Sequence, residues 1–368
     1  MFALIGIAML LVYALLVFYI GWSGWSWMKP VVSTRFRILY IIAITFLASS
    51  FLLGRLFGNS AFLSMIGSYW MAAFSLLIIL LPIVHLSLWL IRLTRLRHHE
   101  LQKWAGAATL VIFLGLMGYG SFNAYSPVVR NYDIQLDKPA GDLDALNIVM
   151  VSDMHYGGLS GAAHARQMVE EIQALQPDLV LYAGDIIDDD LSAYLNSGIH
   201  KIMAEVKAPL GVYAVLGNHD KDKNSTRELI ESLEDSHIQV LHDESIQIGN
   251  NLTLIGRKDR IDDDRAELSE LIKDVDLTQP VLLMDHQPYD LDIAEQQGVD
   301  VMLSGHTHRG QIAPFHLITG AIYENDWGHL QKNSFHSIVS SGYGFWGPPI
   351  RTGSRSELVQ LQLSFRQP

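Results

Sequence analysis

Hydrophobic positions divide the chain into two halves of different rhythm. Through the first 125 residues they form long runs: 1–20 is almost unbroken apolar, and 36–57, 70–91 and 104–122 repeat the pattern. Each approaches the roughly 20 residues with which a helix crosses a bilayer. A connector at 126–145, with Pro127 and Pro139 and a short strand expected at 132–136, leads into shorter runs. Strands are predicted at 146–152, 178–183, 211–216, 281–284 and 300–304, with helices at 161–175, 191–206 and 226–235, the last capped by Asn224, Ser225 or Thr226. Short runs at 238–241, 245–248 and 252–255 predict a meander, followed by a helix at 265–273 and strands near 337–340 and 357–363. Strands alternating with helices and then with hairpins predict an α/β domain at 146–368, two packed sheets with helices outside. An all-α transmembrane domain of four helices at 1–125 precedes it.

Charge sharpens this division. Residues 1–125 hold eight Lys or Arg and one acid, Glu100, whereas 126–368 carry a net charge of −19. Trp22, Trp25, Trp27 and Lys29 follow the first run, as at a membrane interface; no cation precedes it and no small-residue cleavage pattern follows, which argues against a signal peptide. The first connecting loop holds Lys29, Arg35 and Arg37 and the third Arg92, Arg95, Arg97 and Lys103, while the second has little beyond Arg55. Positive loops stay in the cytoplasm, so a multi-pass protein with an extracytoplasmic carboxy-terminal domain is expected. Pro82 should kink its helix and His85 should be hydrogen-bonded inside the bundle. The acidic half argues against a nucleic-acid scaffold, because neutralising phosphates needs clustered cations. Cysteine is absent, so no thiolate can bind metal.

The predicted strands share one peculiarity: each closes on a potential metal ligand. Asp153 and His155 follow the first, Gly184-Asp185 the second, Gly217-Asn218-His219-Asp220 the third, Asp285-His286 the fourth and Gly305-His306-Thr307-His308 the fifth. Loops at strand ends are where α/β proteins collect chemistry. In extended backbone Asp153 and His155 would point the same way and grip one cation together. Asp153, His155, Asp185, Asn218, His286, His306 and His308 are too many ligands for one ion but suit two if Asp185 bridges. Oxygen and imidazole donors suit Mn, Fe or Zn. A pair of such ions activates a shared water and clamps both oxygens of an in-line displacement, which phosphate esters need most. His219 is expected to act as an acid beside the leaving oxygen, with Asp220 hydrogen-bonded to its imidazole.

Asp153-x-His155, Gly184-Asp185-x-x-Asp188, Gly217-Asn218-His219-Asp220, His286 and Gly305-His306-x-His308, in this order, resemble the calcineurin-like metallophosphoesterase superfamily over residues 146–363. The resemblance implies a four-layer αββα sandwich. It also implies Asp153, His155, Asp185 and His308 on one metal, Asp185, Asn218, His286 and His306 on the other, and His219 as the catalytic histidine. Gly342 to Arg351 and the strand containing Glu357 resemble the membrane- or wall-associated phosphodiesterase branch. Arg309 stands where that branch usually has Gly, either touching a substrate phosphate or solvated at the rim.

Other features carry weaker expectations. Asp188 is expected to orient a ligand, with Asp189 and Asp190 solvated, and Asp262 to Asp264 to open a helix. His329 and His336 are read as surface or core residues. The segment around Tyr343, Phe345 and Trp346 is either a packed turn or an aromatic lip for a lipid-linked phosphoester. A sensor that binds a phosphorylated ligand without turnover is the alternative to hydrolysis.

Overall fold

Four long helices open the chain: α1 (Phe2–Met28), α2 (Arg37–Leu56), α3 (Ala61–Arg92) and α4 (His98–Tyr125). The computed structural model describes residues 2–56, 61–93, 98–221, 225–249 and 252–366. Phe57, Arg95, Arg97 and Asn224, which figure in the expectations above, lie outside the described residues. All four helices are long and apolar enough to cross a membrane. Helix α1 continues past residue 20 through its three tryptophans, and α3 begins well before residue 70. Hydropathy marks the bilayer, whereas a helix stops where its backbone hydrogen bonds stop. In this apolar bundle polar groups pair internally: Trp70 Nε1 donates to Tyr13 Oη at 2.8 Å, and that hydroxyl donates to the Ala48 carbonyl. His85 Nδ1 likewise lies 2.7 Å from Tyr19 Oη.

The described residues form two compact units, residues 1–121 with 347–349 and residues 122–346 with 350–368. The second is built on strands β1 (Val128–Leu136), β2 (Ala145–Val151), β3 (Leu179–Ala183), β4 (Val212–Val215), β5 (Gln239–Val240), β6 (Glu244–Ile248), β7 (Leu252–Gly256), β8 (Val281–Met284), β9 (Val301–Ser304), β10 (Gly328–Lys332), β11 (Phe335–Val339) and β12 (Glu357–Phe365). Between them run α5 (Ala162–Ala174), α6 (Leu191–Asn196), α7 (Ile199–Met203), α8 (Thr226–Asp235), α9 (Leu268–Leu271), α10 (Leu291–Gln296) and α11 (His316–Ile322). One sheet has the order β1-β12-β2-β3-β4-β5, the other β10-β11-β9-β8-β7-β6.

Alternation within the apolar runs creates the layers. Ile148 and Met150 of β2 and Leu179 and Leu181 of β3 meet Leu252, Leu254, Leu282, Met284, Val301 and Leu303 in a core between the sheets. Their neighbours Val149, Val151, Val180 and Tyr182 face the other way, into a second core with Met168 and Ile172 of α5 and Leu229 and Leu233 of α8. On the opposite sheet Ile255, Leu283 and Met302 pack against Leu268 of α9 and Leu291 of α10. Strands buried on both faces must be apolar throughout, which is why these runs scarcely alternate in polarity. The result is an α/β architecture of four layers, helices outside two sheets.

Several elements differ from expectation. The segment read as a connector contributes β1, nine residues long, paired in parallel with β12 at the sheet edge. No meander forms: β5 joins β4 in the first sheet, while β6 and β7 form a hairpin in the second. Which edge accepts a two-residue strand is a tertiary matter. Residues 191–206 make two short helices rather than one, and the helix expected at 265–273 shrinks to α9. Asp262 and Asp264 therefore do not open that helix; they pair with Lys221 and Lys258. His329 Nε2 lies 2.9 Å from His336 Nδ1 across β10 and β11.

Candidate metal centre

Strands β2, β3 and β4 run parallel in the first sheet, and β7, β8 and β9 in the second. Parallel pairing sends their carboxyl ends in one direction, and the loops that leave β2, β3, β4, β8 and β9 carry the candidate ligands. Asp153 N–H donates to Gly184 O, His155 N–H to Asp185 O and Gly305 N–H to His286 O, so the loops are tied through their backbones. The geometry at the first is not the extended one expected. Asp153, His155, Asp185, His306 and His308 all have φ between 45° and 69°. Each left-handed, non-glycine residue costs on the order of 1–3 kcal/mol, a strain that concentrates at functional sites. Gly184, at φ 89°, supplies the turn before Asp185 without that penalty.

The side chains converge in two adjoining groups. Asp153, His155 and His308 can each offer a ligand atom within 4.8 Å of the others, and so can Asp185, His286 and His306. The Nε2 atoms of His155 and His308 lie 3.0 Å apart, with His308 Nε2 3.5 Å from Asp153 Oδ1. Asp185 stands between the groups, Oδ2 3.7 Å from His155 Nε2 and 3.1 Å from His286 Nε2. His286 Nδ1 lies 2.8 Å from Ala183 O and can only donate to it, which leaves Nε2 to face Asp185 without its own hydrogen-bond partner among the described residues. Asn218 Oδ1 is also buried without a partner there. The unpartnered Asn218 amide oxygen and His286 Nε2, gathered with the Asp153 and Asp185 carboxylates and further imidazoles, form a donor set that fits divalent cations.

Protonation is set by the same crowding. Burial opposes ionisation of Asp185, but His286, then His155 and His219, hold its carboxyl far below the usual range. Burial pushes Asp153 up. Burial, then His286, lowers His306 to about 4, and burial, then His155 and Arg351, takes His308 well down, so both are neutral at pH 7. Burial also pulls on His286, yet the Asp185 and Asp153 carboxylates raise it well above an ordinary imidazole. The proton kept there is what a divalent ion would displace.

The residues around the ligands refine the expectation, and some depart from it. Asp220 does not hold the His219 imidazole: its carboxylate accepts Gly217 N–H at 2.8 Å and Ile187 N–H at 2.9 Å. Burial and Asp185 push it up to about 7, against the pull of those backbone donors. Asp189 is exposed as expected, yet its Oδ1 lies 3.0 Å from His219 Nδ1, and Asp190, exposed as well, caps α6 through Ala193 N–H. Asp188 Oδ1 faces His155 Nδ1 at 3.6 Å, beyond hydrogen-bond reach. The Arg309 guanidinium stacks 3.9 Å from the Trp327 ring and is not among the residues lining the cavity at the site. Phe345 is buried, so the aromatic lip reduces to Trp346.

That cavity, about 300 Å³, is lined by Asp185, His219, His306, Thr307, His308, Gly310, Gln311 and Trp346. His219 is partly open, its backbone N–H donating to Asp185 Oδ1 at 2.8 Å. Gln311 and Arg351 are not among the site residues expected from the sequence, although Gln311 closely follows His308 and Arg351 closes the segment that begins at Gly342. Arg351 is fully buried; it donates to Gly344 O, Ser341 O and Ser354 Oγ, and its Nη2 lies 3.1 Å from His308 Nδ1.

Residues 146–310 match the sequence model of the calcineurin-like phosphoesterase family. An uncharacterized metallophosphoesterase of Helicobacter pylori is 30% identical over 262 residues, which cover 68% of this chain and 69% of the relative. The chain is a calcineurin-like metallophosphoesterase. A transmembrane protein with metallophosphoesterase domain from Danio rerio is 30% identical over 271 residues, 69% of this chain and 61% of that one. An uncharacterized metallophosphoesterase of Aquifex aeolicus is 30% identical over 261 residues, 68% of this chain and 96% of the relative. As a metallophosphoesterase the protein is a hydrolase of phosphate esters, its family implies divalent metal ions, and its clustered donors can hold them. The four apolar helices of this metallophosphoesterase, with relatives named for a transmembrane region, point to a membrane protein.

Proposed function

We propose that this metallophosphoesterase is a membrane-anchored, multi-pass phosphodiesterase using two divalent ions, with Mn the leading candidate and Fe or Zn also suited to the donors. The observation that carries the reading is the position of Asp185, within 3.7 Å of His155 Nε2 and 3.1 Å of His286 Nε2, as a carboxylate shared between two sites must be. Asp153, His155 and His308 would complete one site, and Asn218, His286 and His306 the other. Held there, a pair of divalent ions would supply Lewis acidity toward the phosphate and would make a water easier to deprotonate. The chain itself orients and protonates. His219, held through Nδ1 by Asp189, is the proton donor for the leaving oxygen, and Asp220 fixes the loop by binding Gly217 and Ile187. Asp188 steadies His155 by its charge. The diester preference rests on the likeness of residues 342–351 to the membrane- or wall-associated branch.

Full-length protein supplied with Mn should hydrolyse bis(p-nitrophenyl) phosphate; a chelator should abolish this and added Mn restore it. Tight phosphate binding without turnover under Mn, Fe and Zn alike would point to a receptor. The arginines and lysines flanking the helices support an extracytoplasmic catalytic unit. A tag at the carboxy terminus should then be removed by protease added to intact cells, and its protection would reverse the topology.

A further inference from the structure

The aromatic segment after β11 is divided by burial. Tyr343 and Phe345 are 0% and 2% exposed, whereas Trp346 is 56% exposed. The Tyr343 ring stacks on His164 at 4.5 Å, and Phe345 meets the Tyr125 ring edge-on at 5.2 Å. The backbone N–H groups of Tyr343 and Gly344 donate to Ser152 O and Asp153 O, tying the segment to the ligand loop after β2. Gln311, itself buried, grips the next residue: its Nε2 donates to Trp346 O at 3.0 Å, and its Oε1 accepts Trp346 N–H at 2.9 Å. One amide thus satisfies both main-chain groups of Trp346 and fixes the point from which its indole projects.

The indole forms a wall of the cavity that contains Asp185, His306 and His308, 6.2 Å from the His219 ring between centroids. Among the described residues, none lining this cavity is Lys or Arg. A substrate group bearing a second phosphate would meet no Lys or Arg among them; an apolar group would meet the face of an indole.

We propose that Trp346, positioned by Gln311, forms a subsite for an apolar organic group of the phosphoester, on the side of the phosphate that faces His219. This rests on the phosphodiesterase reading and names the substrate class it would select: esters of apolar alcohols, aliphatic as in a lipid or aromatic.

Binding of four probes to Mn-loaded full-length protein in nanodiscs, followed by calorimetry, tests it: inorganic phosphate, methyl phosphate, butyl phosphate and phenyl phosphate. Phosphate alone reports on the cation cluster, and the organic groups report on the indole. Butyl or phenyl phosphate should bind roughly tenfold more tightly than methyl phosphate. Trp346→Ala should shrink that ratio to within about twofold and Trp346→Phe should keep most of it. Gln311→Ala should lower the ratio although the indole is still present. A preference for butyl identifies an aliphatic group, and a preference for phenyl an aromatic one. A wild type that does not distinguish the esters, or a Trp346→Ala protein that distinguishes them as well as wild type, would overturn the subsite. Failure of inorganic phosphate to bind at all would instead overturn the function on which the subsite rests, and the subsite with it.

Discussion

The Gly217→Ala variant should lose divalent-metal binding and at least about 100-fold in kcat/KM while the catalytic unit stays folded. A Cβ at this position would stand 2.1 Å from Asp185 Oδ1 and 2.6 Å from Asp185 N. The backbone there has φ −100°, which alanine adopts freely, so the effect is one of space. Asp185 has nowhere to retreat: Oδ1 accepts His219 N–H and Oδ2 faces His286. Overpacking of this kind typically costs about 1–3 kcal/mol of stability, a fraction of what a domain this size can lose. Displacing a shared carboxylate by about 1 Å is far more damaging to chemistry. Metal content and a melting curve, measured beside the hydrolysis of bis(p-nitrophenyl) phosphate, separate the two effects. A variant with full metal content and full activity would show that Asp185 is not the shared ligand.

His219→Ala should cost roughly 100- to 10,000-fold in kcat with metal content unchanged. The ring is beside the cavity, and its Nδ1 is engaged by Asp189, which leaves Nε2 to carry the proton. The loss should depend on the leaving group. An alkoxide must be protonated as it departs, whereas p-nitrophenolate departs readily by itself, so an alkyl diester should suffer more than a p-nitrophenyl one. Equal losses on both would remove the acid role, and loss of metal would recast His219 as a ligand.

How much of this structure is legible in the sequence depends on range. The strands were legible because burial on both faces leaves little choice of residue: Leu179–Ala183 and Val281–Met284 are apolar at every position. The candidate donors were legible because carboxylates, imidazoles and an amide that end such runs have few other reasons to be there. Where the reading depended on local conformation it failed. Asp153 and His155 were expected to share a face of extended backbone, yet both are left-handed. The helix expected at 265–273 is only the four residues of α9, and Asp262 and Asp264 pair with lysines instead of opening it.

The order of apolar runs and the chemical type of the residues that close them determined, without coordinates, a half of four helices long and apolar enough to cross a membrane, a layered α/β half and a set of candidate metal donors at strand ends. Only the tertiary structure decided which groups meet. Asp189 rather than Asp220 reaches His219, because Asp220 is consumed by the backbone N–H groups of Gly217 and Ile187. Trp346 rather than Phe345 faces the cavity, because Gln311 holds its main chain while His164 and Tyr125 take the two preceding rings. Hydrophobic periodicity is a property of one strand or helix at a time and is written in the order of residues. A hydrogen-bond partner is chosen where loops from separate strands come within about 3 Å, and that distance is set by the packing of the sheets.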